Sequence, residues 1–532
     1  MKLLISILLA FGLVPQLFSQ KFKEVSFEMG LDYIYPGTDH QEIGAGVIVF
    51  DINNDGWDDI FQCGGTFPSK LWLNQEGKFT DVTKEYQIGF LQNLYVQGAS
   101  AADVDNDGYE DLFIANKGTL EIRGDNCTPV FLKNMGGKYF KEMHQDVFNI
   151  IGDYAGCVWG DVNNDGFVDL YLLNYVFYMG NDSDSLGQNT SYNPECLPNR
   201  FYINQQGKGF VETTAEWNLE DDGCGLAACF TDYDNDNDID LMLLNDFGHF
   251  NHKGNRIFRN DYPAKGFTDF TDSLGFYREF YGMGVGPGDY DNNGTLDYYL
   301  TNIGRNYFFK NSISSFTEEA VQMKIDIEMA TPTQKGTSWS GLFFDMENDA
   351  DVDLYITKGY LESLERAVTK DENVLFENVS SSSFKNISKL SGLNDSLAQR
   401  GAAFIDFNHD GKLDIVTNEV KLSRGDFAKT DQKIKLFNNL SKAKNRWIAI
   451  KLVGSGTVNR SAVGSSVTLL AGDKIQMREV DGGSGHSSQS SKTLYFGLGK
   501  NKFASNITIQ WLGGETRTIE KLKAGKVYEI KY

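Results

Sequence analysis

Seven short strings in this chain place side-chain oxygens at a spacing suited to a hard cation: DINNDGWDD (Asp51–Asp59), DVDNDGYED (Asp103–Asp111), DVNNDGFVD (Asp161–Asp169), DYDNDNDID (Asp232–Asp240), DYDNNGTLD (Asp289–Asp297), DMENDADVD (Asp345–Asp353) and DFNHDGKLD (Asp406–Asp414). In the first, Asp51, Asn53 and Asp55 alternate along a tight turn, Gly56 permits the sharp bend, and Asp59 returns four residues after Asp55. Alternate side chains of such a turn converge on one centre, and oxygen-only, multi-carboxylate coordination is what Ca²⁺ prefers. By position, the candidate ligands are Asp51, Asn53, Asp55 and Asp59; Asp103, Asp105, Asp107 and Asp111; Asp161, Asn163, Asp165 and Asp169; Asp232, Asp234, Asp236 and Asp240; Asp289, Asp291, Asn293 and Asp297; Asp345, Glu347, Asp349 and Asp353; and Asp406, Asn408, Asp410 and Asp414.

These are not EF-hands, which need a Glu at position 12 between two helices. Position 12 here is Gln62, Ile114, Leu172, Leu243, Leu300, Ile356 or Thr417. Asp, Asn and Gly also make ordinary turns, but seven copies in register, with Asp at position 9 in every one, go beyond turn-making. Loops 1, 2, 3 and 7 keep the full pattern. Loop 4 carries Asn237 in place of Gly, loop 5 carries Asn293 in place of Asp, and loop 6, with Glu347 and Ala350, is expected to bind a cation most weakly.

The loops recur at intervals of 52 to 71 residues within a repeated setting. An apolar and small-residue run precedes each (GAGVIVF, GASAADV), and a strand-like run follows (DIFQC, DLYLLN). Next comes a segment ending in Asn, such as LWLN (Leu71–Asn74) or LFNN (Leu436–Asn439), then a turn and a strand of the type KFTDVT (Lys78–Thr83). Four short strands per repeat, here A to D with the loop between A and B, repeated seven times predict an all-β, seven-bladed β-propeller over residues 20–440. The seventh repeat lacks strand D, and KFKEVSFEMGL (Lys21–Leu31) resembles one, so the N-terminal strand is expected to complete the last blade and remove a sheet edge. Residues 441–532 alternate apolar and polar positions (RWIAIKL, ITIQW) and predict a small β-sandwich-like domain.

The first 19 residues, Lys2 followed by an apolar run to about Val14, read as a secretory signal peptide. No other run is long and apolar enough for a membrane span. A secreted, cell-surface or periplasmic location follows. The formal net charge of −24 argues against nucleic acid and anionic membrane surfaces as partners. Up to seven structural Ca²⁺ ions, adding +14, would bring −24 to −10. The six cysteines show no metal-ligand spacing and leave their pairing open; Cys157 and Cys229, in apolar runs, read best as small buried hydrophobes.

The D-x-[DN]-x-D-G-x-x-D loop in repeats ending L-F-x-N resembles the FG-GAP/VCBS repeat family, as in integrin α-subunit propellers. NRSAVGSSV (Asn459–Val467), QMREVDGGSGHSSQSS (Gln476–Ser491), LYFGLG (Leu494–Gly499) and ITIQWLGG (Ile507–Gly514) resemble the ASPIC/UnbV domain. That pairing is similar to the cartilage acidic protein 1-like group, which includes many secreted bacterial members. The resemblance implies calcium, secretion and a binding role. The chain departs from the domain's usual pattern at His486, where Tyr is usual, and at Leu512-Gly513, where Pro-Ser is usual.

No HExxH, GxSxG or phosphate-loop string is present, so no catalytic residues are assigned. The Gly482–Ser491 stretch, with Arg478, Glu479, His486 and Gln489 in or beside it, reads either as an ordered turn or as a polar recognition loop. The A–B loops share one face of a propeller, and the longest inserts, between B and C, share the other. Ligand recognition is therefore expected opposite the cation loops, with Tyr175 and Tyr178 as aromatic platforms and His249 and His252 as polar contacts. The leading reading is a binding or adhesion module for an extracellular glycan or protein. The alternative is a polysaccharide-active lyase or hydrolase on a propeller scaffold.

Overall fold

The structure is a computed structural model that describes residues 21–33, 44–65, 67–119, 128–183, 189–327, 336–361, 371–420 and 434–532, with residues 119, 177–183 and 189–193 described by backbone alone. The N-terminal segment read as a signal peptide, Cys127 and parts of the inserts after Lys358 and Asn418 lie outside the described residues.

The chain is nearly all β. Among the described residues, seven four-stranded antiparallel sheets come from the seven repeats. The first is Val47–Phe50, Asp59–Gln62, Lys70–Gln75 and Lys78–Asp81, in that order across the sheet. Each A strand is rich in small and β-branched residues that fit a crowded, doubly buried position. Each B strand starts at the position-9 Asp of its loop, as in Asp59–Gln62, Asp240–Asp246 and Asp414–Glu419. The A strands Val47–Phe50, Leu94–Ala102, Tyr154–Gly160, Cys224–Thr231, Gly284–Gly288, Ser338–Phe344 and Gln399–Ile405 neighbour one another in a closed cycle, the last lying against the first. The arrangement is that of a β-propeller.

Apolar side chains fill each wedge between adjacent sheets. Between the seventh and first, Val47, Val49, Ile60 and Trp72 pack on Ala403, Ile405, Val416 and Leu436. Each fully buried Val, Ile or Leu among them contributes roughly 1.5–3 kcal/mol. The seventh sheet is completed from the start of the chain: Phe22–Glu24 pairs antiparallel with Ile434–Asn439 in the register Phe22↔Asn439 and Glu24↔Phe437. Phe22 is wholly buried between the sixth and seventh sheets.

The C-terminal region forms two sheets. In one, Arg446–Val453 lies between Leu494–Gly499 (antiparallel) and Val527–Lys531 (parallel). The other has the order Lys474–Glu479, Ser466–Ala471, Phe503–Gln510, Arg517–Lys523. Ile448, Ile450, Phe496, Val467, Leu469 and Ile507 share their core, which continues into Trp159 and Leu170 of the third repeat sheet. Domain and ring are thus joined through one apolar cluster rather than tethered by a linker.

Candidate metal centres and the covered face

All seven A–B loops share one hydrogen-bond plan. The position-1 Asp turns its two oxygens onto the amides of positions 5 and 6, as Asp51 does with Asp55 (3.1 Å) and Gly56 (3.0 Å), and Asp161 with Asp165 (3.0 Å) and Gly166 (2.9 Å). Position 6 is left-handed throughout: Gly56 has φ 91°, and the two non-glycine residues, Asn237 and Ala350, sit at 70° and 77°. Asn tolerates this conformation well and Ala poorly, so loop 6 carries local backbone strain.

The position-9 Asp does more than face the loop centre. Asp59 accepts from Ile52 N (2.9 Å) and from Asn74 N (2.7 Å), tying its loop to the Asn-ending C strand. Asp169 does the same with Val162 (3.1 Å) and Asn204 (2.8 Å). That Asn in turn reaches the neighbouring sheet. Asn134 Nδ2 donates to Ile52 O (2.8 Å), Asn204 to Val104 O (2.9 Å), Asn260 to Val162 O (2.8 Å), Asn311 to Tyr233 O (2.7 Å), Asn378 to Tyr290 O (2.8 Å), Asn439 to Met346 O (2.8 Å) and Asn74 to Phe407 O (3.1 Å). Each acceptor is position 2 of the preceding loop, so the series closes on itself.

A second girdle runs the other way. Position 4 is Asn in six loops, and Asn54, Asn106, Asn235, Asn292 and Asn348 each donate to the position-6 carbonyl of the next loop. In the seventh, His409 instead stacks flat on Trp57 of the first loop, with ring centroids 3.6 Å apart. Sequence reasoning singled out neither girdle. The signal was present as the recurrent Asn at position 4 and at the end of strand C.

The loops bring carboxylates together without enough donors to satisfy them. In Asp103, Asp105 and Asp111, in Asp232, Asp234 and Asp240, and in Asp289, Asp291 and Asp297, one carboxylate oxygen from each residue lies within 4.8 Å of the others. Loops 1, 3 and 7 carry Asn53, Asn163 and Asn408 at position 3, where an amide oxygen takes the carboxylate's place. Asp105 Oδ1, Asp234 Oδ1, Asp291 Oδ1, Glu347 Oε2 and Asp414 Oδ2 are buried and accept no hydrogen bond. Buried anionic oxygens without donors are costly, and a cation is the natural complement. The side chains present therefore fit a hard divalent ion, and several of these buried Asp clusters could hold one. Without an ion, burial followed by like-charge neighbours raises these groups: Asp59 to about 9, Asp345 to about 8 and Asp103, Asp232 and Asp406 to about 7.

The C-terminal domain sits over this face. Arg460 N donates to Asn106 Oδ1 (2.9 Å), Asp103 N to Ser461 Oγ (2.9 Å), Asp232 N to Glu479 Oε2 (3.0 Å) and Met477 N to Asp289 Oδ2 (3.1 Å). Lys451 lies 3.3 Å from Asp51. Gly482–Ser491 leaves the domain and enters the space enclosed by the A strands. Gly485 exchanges backbone hydrogen bonds with Val285, and Gln489 with Val47 and Val49. His486 Nδ1 meets Met283 O (2.8 Å), Ser487 Oγ donates to Ala155 O (2.9 Å), and Phe404 N donates to Ser490 Oγ (3.2 Å). The Gln489 amide pairs with both backbone groups of Ala101, at 2.8 and 3.1 Å. His486 and Gln489 are at most 1 % exposed, so this stretch plugs the ring and is not a surface recognition loop.

The residues predicted for the opposite face divide. Tyr175 is buried, its hydroxyl donates to Asp246 Oδ2 (2.6 Å), and the Lys117 ammonium lies 4.2 Å from its ring centre. Its ring is therefore closed off by its own neighbours, contrary to the expected exposed platform. Tyr178 lies in the hairpin strand Val176–Ser183, described by backbone alone. His249 and His252 are exposed at the short helix Gly248–Asn251; His249 packs edge-on to Tyr281, and His252 lies 3.3 Å from Glu279. Cys196, at the end of the hairpin, is disulfide-bonded to Cys224, while Cys63, Cys157 and Cys229 are buried thiols. Among the described residues no helix is long and apolar enough to cross a membrane.

The class of protein is now plain. Residues 51–114 and 103–172 match the FG-GAP-like repeat, and residues 455–532 match the ASPIC and UnbV family, so the chain carries FG-GAP-like repeats in a β-propeller followed by an ASPIC/UnbV domain. Among individual proteins it is similar to cartilage acidic protein 1 of Xenopus tropicalis, 21% identical, covering 92% of this chain and 74% of that one. Cartilage acidic protein 1 of Mus musculus is 20% identical with the same coverage. Among solved structures, BBS1N in complex with ARL6DN (TM-score 0.40, 8% identity, covering 77% of this chain and 97% of that one) and the V. cholerae biofilm matrix protein Bap1 (TM-score 0.35, 9% identity, covering 78% and 90%) are distant likenesses.

Proposed function

We propose that this chain is an exported, calcium-stabilised β-propeller that acts as a binding or adhesion module, presenting the face opposite its metal loops to an extracellular glycan or protein. In this reading residues 1–19 are the signal peptide, 20–440 the seven-bladed propeller and 441–532 the ASPIC/UnbV domain. Up to seven Ca²⁺ ions bind at the A–B loops. The observation that carries it is the set of buried, donor-less carboxylate oxygens repeated around one face, typified by Asp105, Asp234 and Asp291. All-oxygen sites of this kind favour Ca²⁺ over softer metals. The Cys196–Cys224 disulfide supports an oxidising, extracytoplasmic location.

Calcium in these loops is structural. The C-terminal domain covers them and Gly482–Ser491 fills the ring, so a partner is left the opposite face. There the exposed His249 and Phe250 beside Tyr281 offer aromatic and polar contacts of the kind that recognise sugars and proteins. The test is a glycan array and an extracellular-protein capture screen, each run with Ca²⁺ and with EDTA, followed by product analysis on any bound polysaccharide. Binding that needs Ca²⁺, weakens in His249→Ala and releases no product is the expected result. Turnover of a bound polysaccharide would overturn the module reading.

A further inference from the structure

The residue just before the C-strand Asn tracks position 3 of the metal loop in the same repeat. Where position 3 is Asn53, Asn163 or Asn408, that residue is the neutral Leu73, Ile203 or Asn438. Where position 3 is Asp105, Asp234 or Asp291, it is Lys133, Arg259 or Lys310. In the sixth repeat position 3 is Glu347 and the strand residue is Glu377, and Lys21 bridges both carboxylates at 2.8 Å.

The geometry explains the pairing. Lys133 contacts Asp105 Oδ2 and lies 3.2 Å from Asp107, and Lys310 lies 2.7 Å from Asp291 Oδ2. The ammonium thus takes one oxygen, while Asp105 Oδ1 and Asp291 Oδ1 stay buried without a donor. Glu347 repeats this, with Oε1 on Lys21 and Oε2 left over. Arg259 bonds Asp261 (3.1 Å) and lies over the Phe270 ring, with Asp234 among the charges it feels.

We propose that the strand cation and the position-3 acid act together as the equivalent of an Asn. The cation cancels the extra charge and holds the carboxylate so that a single oxygen faces the metal. The second loop with Lys133 then presents the same charge to Ca²⁺ as loops 1, 3 and 7, whose position 3 is Asn, and Lys133 and Lys310 keep their loops ordered when the ion is absent. A lone uncompensated carboxylate would bind Ca²⁺ more tightly but repel its neighbours in the empty loop. This inference rests on the calcium reading above.

The test is a substitution cycle on the full chain: Lys133→Leu, Asp105→Asn and the double variant, which recreates the Leu73/Asn53 pair of the first repeat. Hydrogen–deuterium exchange of the peptide spanning 103–111 across a Ca²⁺ titration reads this loop alone, and the melting temperature in EDTA reads the empty state. Lys133→Leu should shift the loop's Ca²⁺ midpoint roughly fivefold lower while lowering the EDTA melting temperature. Asp105→Asn should shift the midpoint upward by a similar factor, and the double variant should return near wild type. Lys310→Leu and Asp291→Asn repeat the cycle in the fifth loop should a second-loop variant fail to fold. A purely structural lysine would lower stability without tightening Ca²⁺, and that result, or a double variant whose midpoint stays as far from wild type as a single variant's, would overturn the proposal. A wild-type peptide with no Ca²⁺-dependent protection would instead sink the calcium reading itself.

Discussion

Asn74 donates its side-chain amide to the carbonyl of Phe407, 333 positions away in the chain, at 3.1 Å. It is the seventh of seven equivalent bonds and the one that joins the last loop to the first sheet. The same amide holds Asp58 O (3.1 Å), and its oxygen accepts from Gly77 N (2.8 Å). Asn74→Ala would leave two buried carbonyls and an amide unpaired at the closure. A loss of about 2–4 kcal/mol is expected in denaturant unfolding. A variant within 0.5 kcal/mol of wild type, the range of an ordinary surface substitution, would show that closure does not depend on this bond.

The metal loops make stability fall as pH rises without calcium and hold it level with calcium. In the ion-free fold Asp103, Asp232 and Asp406 are raised to about 7 and Asp59 to about 9, first by burial and then by like-charge neighbours. Groups raised above their unfolded values bind more protons when folded. Their contribution is full below the unfolded value and is lost as pH rises through the folded one. In EDTA the melting temperature should therefore fall steadily from pH 6 to pH 9. In excess Ca²⁺, which favours the ionised form, it should stay level over the same range, so the gap between the two curves widens with pH. Parallel curves in calorimetry would contradict calcium binding at these carboxylates.

Much of the fold is legible in the sequence because its signals are local. A tight turn needs Asp, Asn and Gly at fixed offsets, and strands on either side of Asp51–Asp59 or Asp161–Asp169 read directly from apolar runs. The all-β repeat pattern and the family likeness follow from the same strings. Contacts between repeats are harder to read. The partner of Asn74 is set by ring closure, and the burial of Tyr175 by Asp246 in the next sheet and Lys117 in the previous one. Gly482–Ser491 shows the limit most clearly. Its composition says that it is small and polar, which suits an exposed turn and a channel lining equally well. Only the A strands around it, with backbone groups awaiting partners, decide between them.

The disulfide ties the hairpin that follows the third repeat's B strand to the fourth sheet, joining Cys196 to Cys224 across 28 positions. Closing a loop of this length stabilises by about 3–4 kcal/mol through the unfolded chain. Cys196→Ser should lower the melting temperature under non-reducing conditions and make the hairpin of Val176–Ser183 and Asn189–Cys196 the first site of limited proteolysis. Reductant should reproduce the effect in the wild type and add nothing in the variant. Equal melting of both under all conditions would show that the bond does not constrain the fold.

The ring and the C-terminal domain are predicted to melt as one unit, because the plug is stitched to the A strands of six sheets. Close approach is built into the first two sheets: a Cβ at Gly46, just before Val47–Phe50, would stand 1.6 Å from Ser487 O, and one at Gly98, in Leu94–Ala102, would stand 2.9 Å from Ser487 Cβ. Gly46→Ala must therefore displace backbone and not merely a flexible side chain. Gln489→Leu acts on the other partner. It keeps the volume but orphans the amide of Ala101, now bonded at 2.8 Å, while the Ala101 carbonyl keeps the Lys492 ammonium at 2.8 Å, for an expected loss of about 1–3 kcal/mol. Both variants should lower the single melting transition and expose the segment between Asn439 and Arg446 to protease, since undocking frees the connection. If Gly46→Ala melts like wild type, the plug does not lie against that strand. If either variant splits the transition in two, ring and domain are separate cooperative units and the shared core around Trp159, Ile448 and Val467 contributes little to their coupling.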